Sequence, residues 1–245
     1  MEHTIKHIIT KVKTTSVATL CLLTAALTAS CNGEHEEIIS TWPNGKPQLV
    51  YKVKGSGDNK VKTGECRYYE SGHLHSEKHY AGQESTPTGV WKYYYDNEKM
   101  FARGDFDAQH PKGDKWEFYT QEGKRFGREG SDSVRVVELN EYETPATVCY
   151  YHKNVTDYYQ FYSNYALRSE GSTIDGNREG KWVFYHPNGN VQTDATFKAG
   201  KEEGTYTVYR ENGIPFYRGM YHEGKRTGTW EIYDEKAELL TTKQY

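Results

Sequence analysis

The densest set of metal-capable side chains lies in "GHLHSEKHY", where His73, His75 and His79 alternate with Glu77 between them. On an extended strand these four share one face, opposite Leu74, and two His at i and i+2 can grip a common cation. No neighbouring stretch offers an obvious fourth ligand, so a solvated polar face is the simpler expectation and a His73/His75/His79 metal site the alternative. Cys66 and Cys149 stand about three repeat units apart. At roughly 10 Å of sheet per two-stranded unit they are too distant for a disulfide unless the chain folds back. Cys66 is expected to replace a Trp as an inward packing residue. Glu202 and Glu203 form a carboxylate pair in a turn, where solvation is the default. The glycines are periodic and punctuate turns, and no phosphate-binding loop leads into a helix. No Ser–His–Asp or Cys–His set assembles. These residues predict no cofactor and no enzymatic activity; a hydrolase working in a groove would lack a catalytic constellation.

What remains is aromatic. Trp91, Tyr93, Trp116, Phe118, Trp182, Phe184, Tyr206 and Trp230 recur at matched positions. They read either as the core or as a groove that binds a partner, because rings supply large contact area at low ordering cost.

The elements that position these rings are repeats. With the Trp of "GKW" as anchor, anchors fall at Cys66, Trp91, Trp116, Tyr158, Trp182, Tyr206 and Trp230, with gaps of 25, 25, 42, 24, 24 and 24 residues. A tyrosine or phenylalanine follows each anchor by three positions, and turns such as "PNG" and "ENG" come next. A fixed period of this length marks a repeat architecture. Each unit reads as a β-hairpin: a short alternating strand with Trp182 and Phe184 on one face, an Asn-Gly turn that tolerates positive φ, and a returning strand. The returning strand carries small residues between apolar ends, as in Val191, Thr193, Ala195 and Phe197, which leaves space for a neighbouring Trp. Paired glycines such as Gly200 and Gly204 make the return turn. The expected fold is all-β, a single-layer antiparallel meander of about seven to eight hairpins, twisted and curved.

Composition agrees. The 245 residues are 35% apolar and 27% charged, with 22 Tyr and 23 Gly, and the mean hydropathy is −0.93. Aliphatic residues are too sparse for a thick core. The net charge of −3 gives no basic footprint for nucleic acid.

The N-terminal segment reads as an address. Lys6, Lys11 and Lys13 precede the apolar run "VATLCLLTAALTA", which is too short to span a bilayer, and "LTASC" places small residues before Cys31. This predicts a signal-peptide helix over 1–30. The Cys at the cut resembles a bacterial lipobox and implies lipidation at Cys31. Cleavage would leave 28 basic against 33 acidic residues, a net charge of −5. An acidic tether over 31–37 follows, then hairpin repeats over 38–125 and 158–245. Between them, 126–157 holds about 18 extra residues and reads as an enlarged hairpin with a protruding or folded-back tip that sets partner choice or is merely tolerated.

The stretch "EGKWVFYHPNGNVQTDATFKAGKEEGTYTVYRENG" resembles the variant MORN repeat and is similar to the repeats of YwqK-like proteins, a family labelled antitoxin. The resemblance implies binding or scaffolding. Together these readings predict a membrane-anchored bacterial lipoprotein of the cell envelope, in the outer membrane and facing the periplasm or the surface. It would act as a non-enzymatic protein-binding or scaffold module, with an antitoxin that neutralises a toxin as the alternative.

Overall fold

The computed structural model describes residues 33–107, 110–111, 116–127, 131, 133–141 and 143–245. The expected signal-peptide helix and Cys31 lie outside the described residues. The first sheet contains β1 (Glu34–Thr41), β2 (Pro47–Lys54), β3 (Val61–Tyr68), β4 (Leu74–Ala81), β5 (Thr86–Tyr94), β6 (Met100–Asp107), β7 (His110–Pro111) and β8 (Glu117–Phe118). The second contains β9 (Ser133–Leu139), β10 (Pro145–His152), β11 (Val155–Phe161), β12 (Leu167–Ile174), β13 (Asn177–Tyr185), β14 (Val191–Lys198), β15 (Lys201–Tyr209), β16 (Pro215–His222), β17 (Lys225–Tyr233) and β18 (Leu239–Gln244). Strand order follows chain order in both, except that β8 pairs β6 beside β7, and the pairings with a given register are antiparallel. The protein is therefore the all-β succession of hairpins that the repeats predict, divided into two sheets.

Each hairpin turn is closed by a left-handed residue, a glycine at Gly45, Gly72, Gly123, Gly189 and Gly213 and a non-glycine at Glu98, Glu143, Tyr165 and Ala237. In the unit of β13 and β14, the Gly189 N–H donates to the His186 carbonyl at 2.9 Å and the His186 N–H to the Asn190 carbonyl at 2.8 Å. Gly189 has φ 87°, whereas Asn188 is not left-handed, so the asparagine acts through its side chain. Its Nδ2 donates to the Glu211 carbonyl of the next turn at 2.8 Å. The left-handed pairs lie instead at the return turns, as at Ala199 (φ 47°) and Gly200 (φ 84°). Gly204 is not in that turn. It stands within β15, where the register against β14 shifts.

Units are tied to one another along the turn edge. The first turn residue of one unit donates to the carbonyl of the strand-ending tyrosine of the next: Trp42 to Tyr68 at 3.0 Å, Tyr69 to Tyr94 at 2.7 Å, Tyr95 to Tyr119 at 2.9 Å, Tyr162 to Tyr185 at 2.8 Å, His186 to Tyr209 at 3.0 Å and Arg210 to Tyr233 at 2.9 Å.

The anchors form one column in the second sheet: Tyr158, Gly171, Trp182, Ala195, Tyr206 and Gly219 are successive cross-strand partners. The small residues do make room for the rings. A Cβ on Gly171 would lie 2.2 Å from the Trp182 ring, and one on Gly219 would lie 2.3 Å from Trp230. In the first sheet the column runs Tyr51, Glu65, Lys78, then Trp91 and Gly104. Glu65, not Cys66, thus occupies the anchor place: it stands seven residues before the turn Gly72, as Trp182 does before Gly189, and the strand-ending tyrosine three residues on is Tyr68, while Tyr69 is the first turn residue. Cys66 pairs with Val50 and Glu77 one position away.

The main core lies between the sheets. The first sheet contributes Tyr80, Trp91, Tyr93, Tyr95, Phe101, Phe106, Trp116 and Phe118, and the second covers them with Val134, Val148, Tyr150, Phe161 and Tyr165. Phe101 stacks on Tyr165 with centroids 4.5 Å apart and meets Phe161 at 4.9 Å. The second sheet does this with Val148 and Tyr159, which pair with each other and alternate with the Cys149–Tyr158 pair. Its own anchor column therefore points to the opposite side.

Candidate functional site

The three histidines are not brought together. The strand pairing skips His75: Arg67 pairs with Ser76 and Tyr68 with Leu74. His75 turns into the junction, edge-on to Tyr69 at 4.7 Å and stacked on Tyr165 at 4.8 Å. Burial lowers its pKa to about 4, with Arg67 and Lys78 adding to the effect. His73 sits in the turn and contacts Asp96. Glu77 is taken by Lys52 at 3.1 Å and Lys92 at 3.4 Å. Among the described residues no group of three His, Cys, Asp or Glu side chains could hold a metal. Cys66 and Cys149 are free and buried, and burial raises both thiols, Cys149 to about 11.

The expected groove divides into two unlike halves. Trp91, Tyr93, Trp116 and Phe118 are at most 1% exposed. They line no open groove, because the second sheet lies on them. Charges close that junction. Lys78 is buried 5.0 Å over the Trp91 ring, and its Nζ lies 3.0 Å from Glu143 Oε2 and 3.8 Å from Glu65 Oε1. Glu143 belongs to the turn between β9 and β10, whose tip folds back onto the first sheet; its carbonyl accepts the Tyr93 hydroxyl at 2.8 Å. Burial would raise the Glu65 carboxyl, but Lys78, Arg67 and Lys62 outweigh it and hold the group below the usual range. Burial lowers Lys78.

The other half has no second sheet over it, although Trp182 and Trp230 are themselves only 5% and 3% exposed. Trp182, Ala195 and Phe197 form a cluster with Tyr158, Phe184 and Tyr206, whose members all come from the second sheet. Tyr206 lies 6.3 Å from Trp230, and Tyr217 and Tyr221 meet Trp230 at 5.9 and 5.2 Å. Phe184, Tyr206, Tyr217 and Tyr221 are half-buried. Two exposed arginines lie over the indoles: Arg178 is 4.6 Å from the Trp182 ring and Arg226 is 4.4 Å from the Trp230 ring. Each arginine precedes its Trp by four residues on the same strand, in "NREGKW" and "KRTGTW". The signal is present in the sequence, and a reading centred on the rings passes over it. Tyr206 has Glu202 in that place.

On the other face of the second sheet a polar cavity of about 650 Å³ is lined by Asp157, Glu170, Ser172, Lys181 and Tyr185. Its polar groups hold one another. Ser172 donates to Asp157 at 2.6 Å, Tyr185 donates to Glu170 at 2.6 Å, and Lys181 pairs with Asp194 at 2.8 Å.

Residues 62–81, 87–108 and 178–199 match the family described as MORN repeat variant, so this is a repeat protein with variant MORN repeats in both sheets. No curated protein matches the chain. Among solved structures it is similar to a mutant of TarM from S. aureus in complex with fondaparinux, α-GlcNAc-glycerol and UDP. That likeness has 12% identity and a TM-score of 0.29 over 42% of this chain, and the chain spans 20% of that structure's length.

Proposed function

We propose that this protein is a non-enzymatic binding or scaffold module, held at a bacterial cell envelope by lipid on Cys31, whose partner is another protein. The observation that carries the binding reading is the uncovered aromatic face of β13–β17. There Phe184, Tyr206, Tyr217 and Tyr221 lie partly exposed beside Trp182 and Trp230, which are themselves buried beneath two exposed arginines, while the equivalent rings of the first sheet are sealed into a core by the second. Partly exposed rings and arginines on a rigid sheet supply contact area at low ordering cost, which suits recognition.

A photoreactive residue at Tyr206, on this face, should crosslink a protein in the native cell. The same residue at Met220, which neighbours Gly219 and faces the other way, should not. Equal yields from both positions would contradict the reading. The anchor is a separate matter. Cys31→Ser should move the protein from the membrane to the soluble fraction, and a variant still sedimenting with membranes would refute lipidation.

A further inference from the structure

The first sheet contains its own example of how an anchor face is covered. Three parts meet there: the Trp91 indole, the Lys78 cation 5.0 Å above it, and the Glu143 carboxylate 3.0 Å from that cation. The carboxylate comes from the tip of a β-hairpin, and the same tip offers a main-chain carbonyl to the Tyr93 hydroxyl.

The second sheet holds two of the three parts, twice. Arg178 lies over Trp182 and Arg226 over Trp230. A guanidinium lying against a ring still presents N–H groups along its edge, the geometry that grips a carboxylate with two parallel bonds. Among the described residues neither arginine has a carboxylate at ion-pair distance; Arg226 donates only to the Tyr221 and Tyr245 hydroxyls, at 3.5 and 2.9 Å. From β13 to β17 the two lie four strands apart, about 19 Å at the usual strand spacing.

We infer that this face docks a partner protein through hairpin or loop tips that carry Asp or Glu, the carboxylate completing on Arg178 and Arg226 the arrangement that Glu143 completes on Lys78. The inference rests on the binding reading above and deepens it by naming the partner's chemistry. It also gives Glu202 a role. Glu202 pairs with Phe197 in β14, as Arg226 pairs with Tyr221 and Arg178 with Thr173. It therefore lies in the same row between the two arginines and opposes an acidic partner midway, which favours two separated carboxylates over a continuous acidic run.

The test selects displayed, disulfide-closed hairpin peptides with randomised tips against the full chain, with heparin fragments and anionic phosphatidylglycerol vesicles as parallel probes. Selected tips should be enriched in Asp and Glu. Their Kd should rise about tenfold for Arg178→Gln and again for Arg226→Gln, the usual loss of a charge-assisted bond. Glu202→Gln, a surface change that leaves the rings in place, should tighten binding by about threefold. Arg218→Gln, whose guanidinium pairs with Glu231, should change nothing. Tips without carboxylates, affinities indifferent to both arginines, or arginine-dependent binding of heparin or vesicles but not of hairpins would each overturn the inference. A protein crosslinked through position 206 whose contacts carry no carboxylate would defeat this inference alone. No crosslink at position 206 would defeat the binding reading beneath it.

Discussion

Trp116 and Trp230 occupy the same place in the same repeat, each over a glycine of the neighbouring strand that leaves no room for a Cβ, with approaches of 2.2 Å from Gly104 and 2.3 Å from Gly219. Around them the surroundings diverge. Trp116 lies in a two-layered core with Phe118 and Tyr93 beside it and the second sheet above. Trp230 is shielded by tyrosines and a guanidinium of its own sheet. The repeat fixes where rings stand along a column. Which face gains a second layer is decided elsewhere, by the extra hairpin β9–β10 that begins the second sheet and docks it backwards onto the first. A repeat array that would otherwise present one continuous aromatic face thus covers half of it with a second layer and leaves half in a single layer.

The largest effect should come from deleting the rings. Trp116→Ala should cost about 5 kcal/mol, as expected for an aromatic between two layers, and Trp230→Ala about 3 kcal/mol, because tyrosines and arginine can settle into the gap. Denaturant unfolding of both variants measures the difference; equal losses would break the comparison.

Next in size is the acid response of the junction. His75 is held neutral, with a pKa of about 4 against an ordinary 6.5. The unfolded chain therefore takes up a proton first as pH falls. The contribution is whole above about pH 6.5, is lost progressively below it, and levels near pH 4 at a total of about 3 kcal/mol. Glu65, held low by its three cations, acts in the same direction, being lost as pH falls below the ordinary carboxylate range. Unfolding free energy measured from pH 7 to pH 4 should fall more steeply for the natural chain than for His75→Gln.

Removing the clasp sharpens the contrast further. Glu143→Gln leaves Lys78 with Glu65 as its nearer carboxylate and should destabilise by about 2 kcal/mol, less than a fully buried pair because Glu143 is half exposed. Lys78→Met in the same chain should restore most of the loss. The smallest effect belongs to the second sheet's turns. Ala199→Gly relieves a left-handed alanine at φ 47° and should raise stability by about 0.5 kcal/mol.

Much of this was legible in the residue order. The period, the hairpins and the small residues facing each Trp follow from alternation and volume, and Gly104, Gly171 and Gly219 stand where the rings need them. Three features were not. In the unit of β3 two adjacent tyrosines, Tyr68 and Tyr69, both fit the place three residues after an anchor; counting back from Tyr69, which is the first turn residue, puts Cys66 in the anchor column where Glu65 stands. His75 leaves its strand's alternation through a register shift that no side-chain pattern announces. The fold-back of β9–β10 depends on long-range contacts, Glu143 with Lys78 and Tyr93, between segments that show no local sign of one another. The arginines of "NREGKW" and "KRTGTW" were visible, but their stacking on the indoles is a matter of rotamer rather than spacing.

The most direct test is hydroxyl-radical footprinting of the tyrosines in the folded chain, read by mass spectrometry. The account predicts that Tyr206, Tyr217, Tyr221 and Tyr245 oxidise readily while Tyr93 and Tyr165, 0% and 1% exposed, remain protected until unfolding. Comparable oxidation of both groups would contradict the claim that one aromatic face is covered by a second sheet and the other is not.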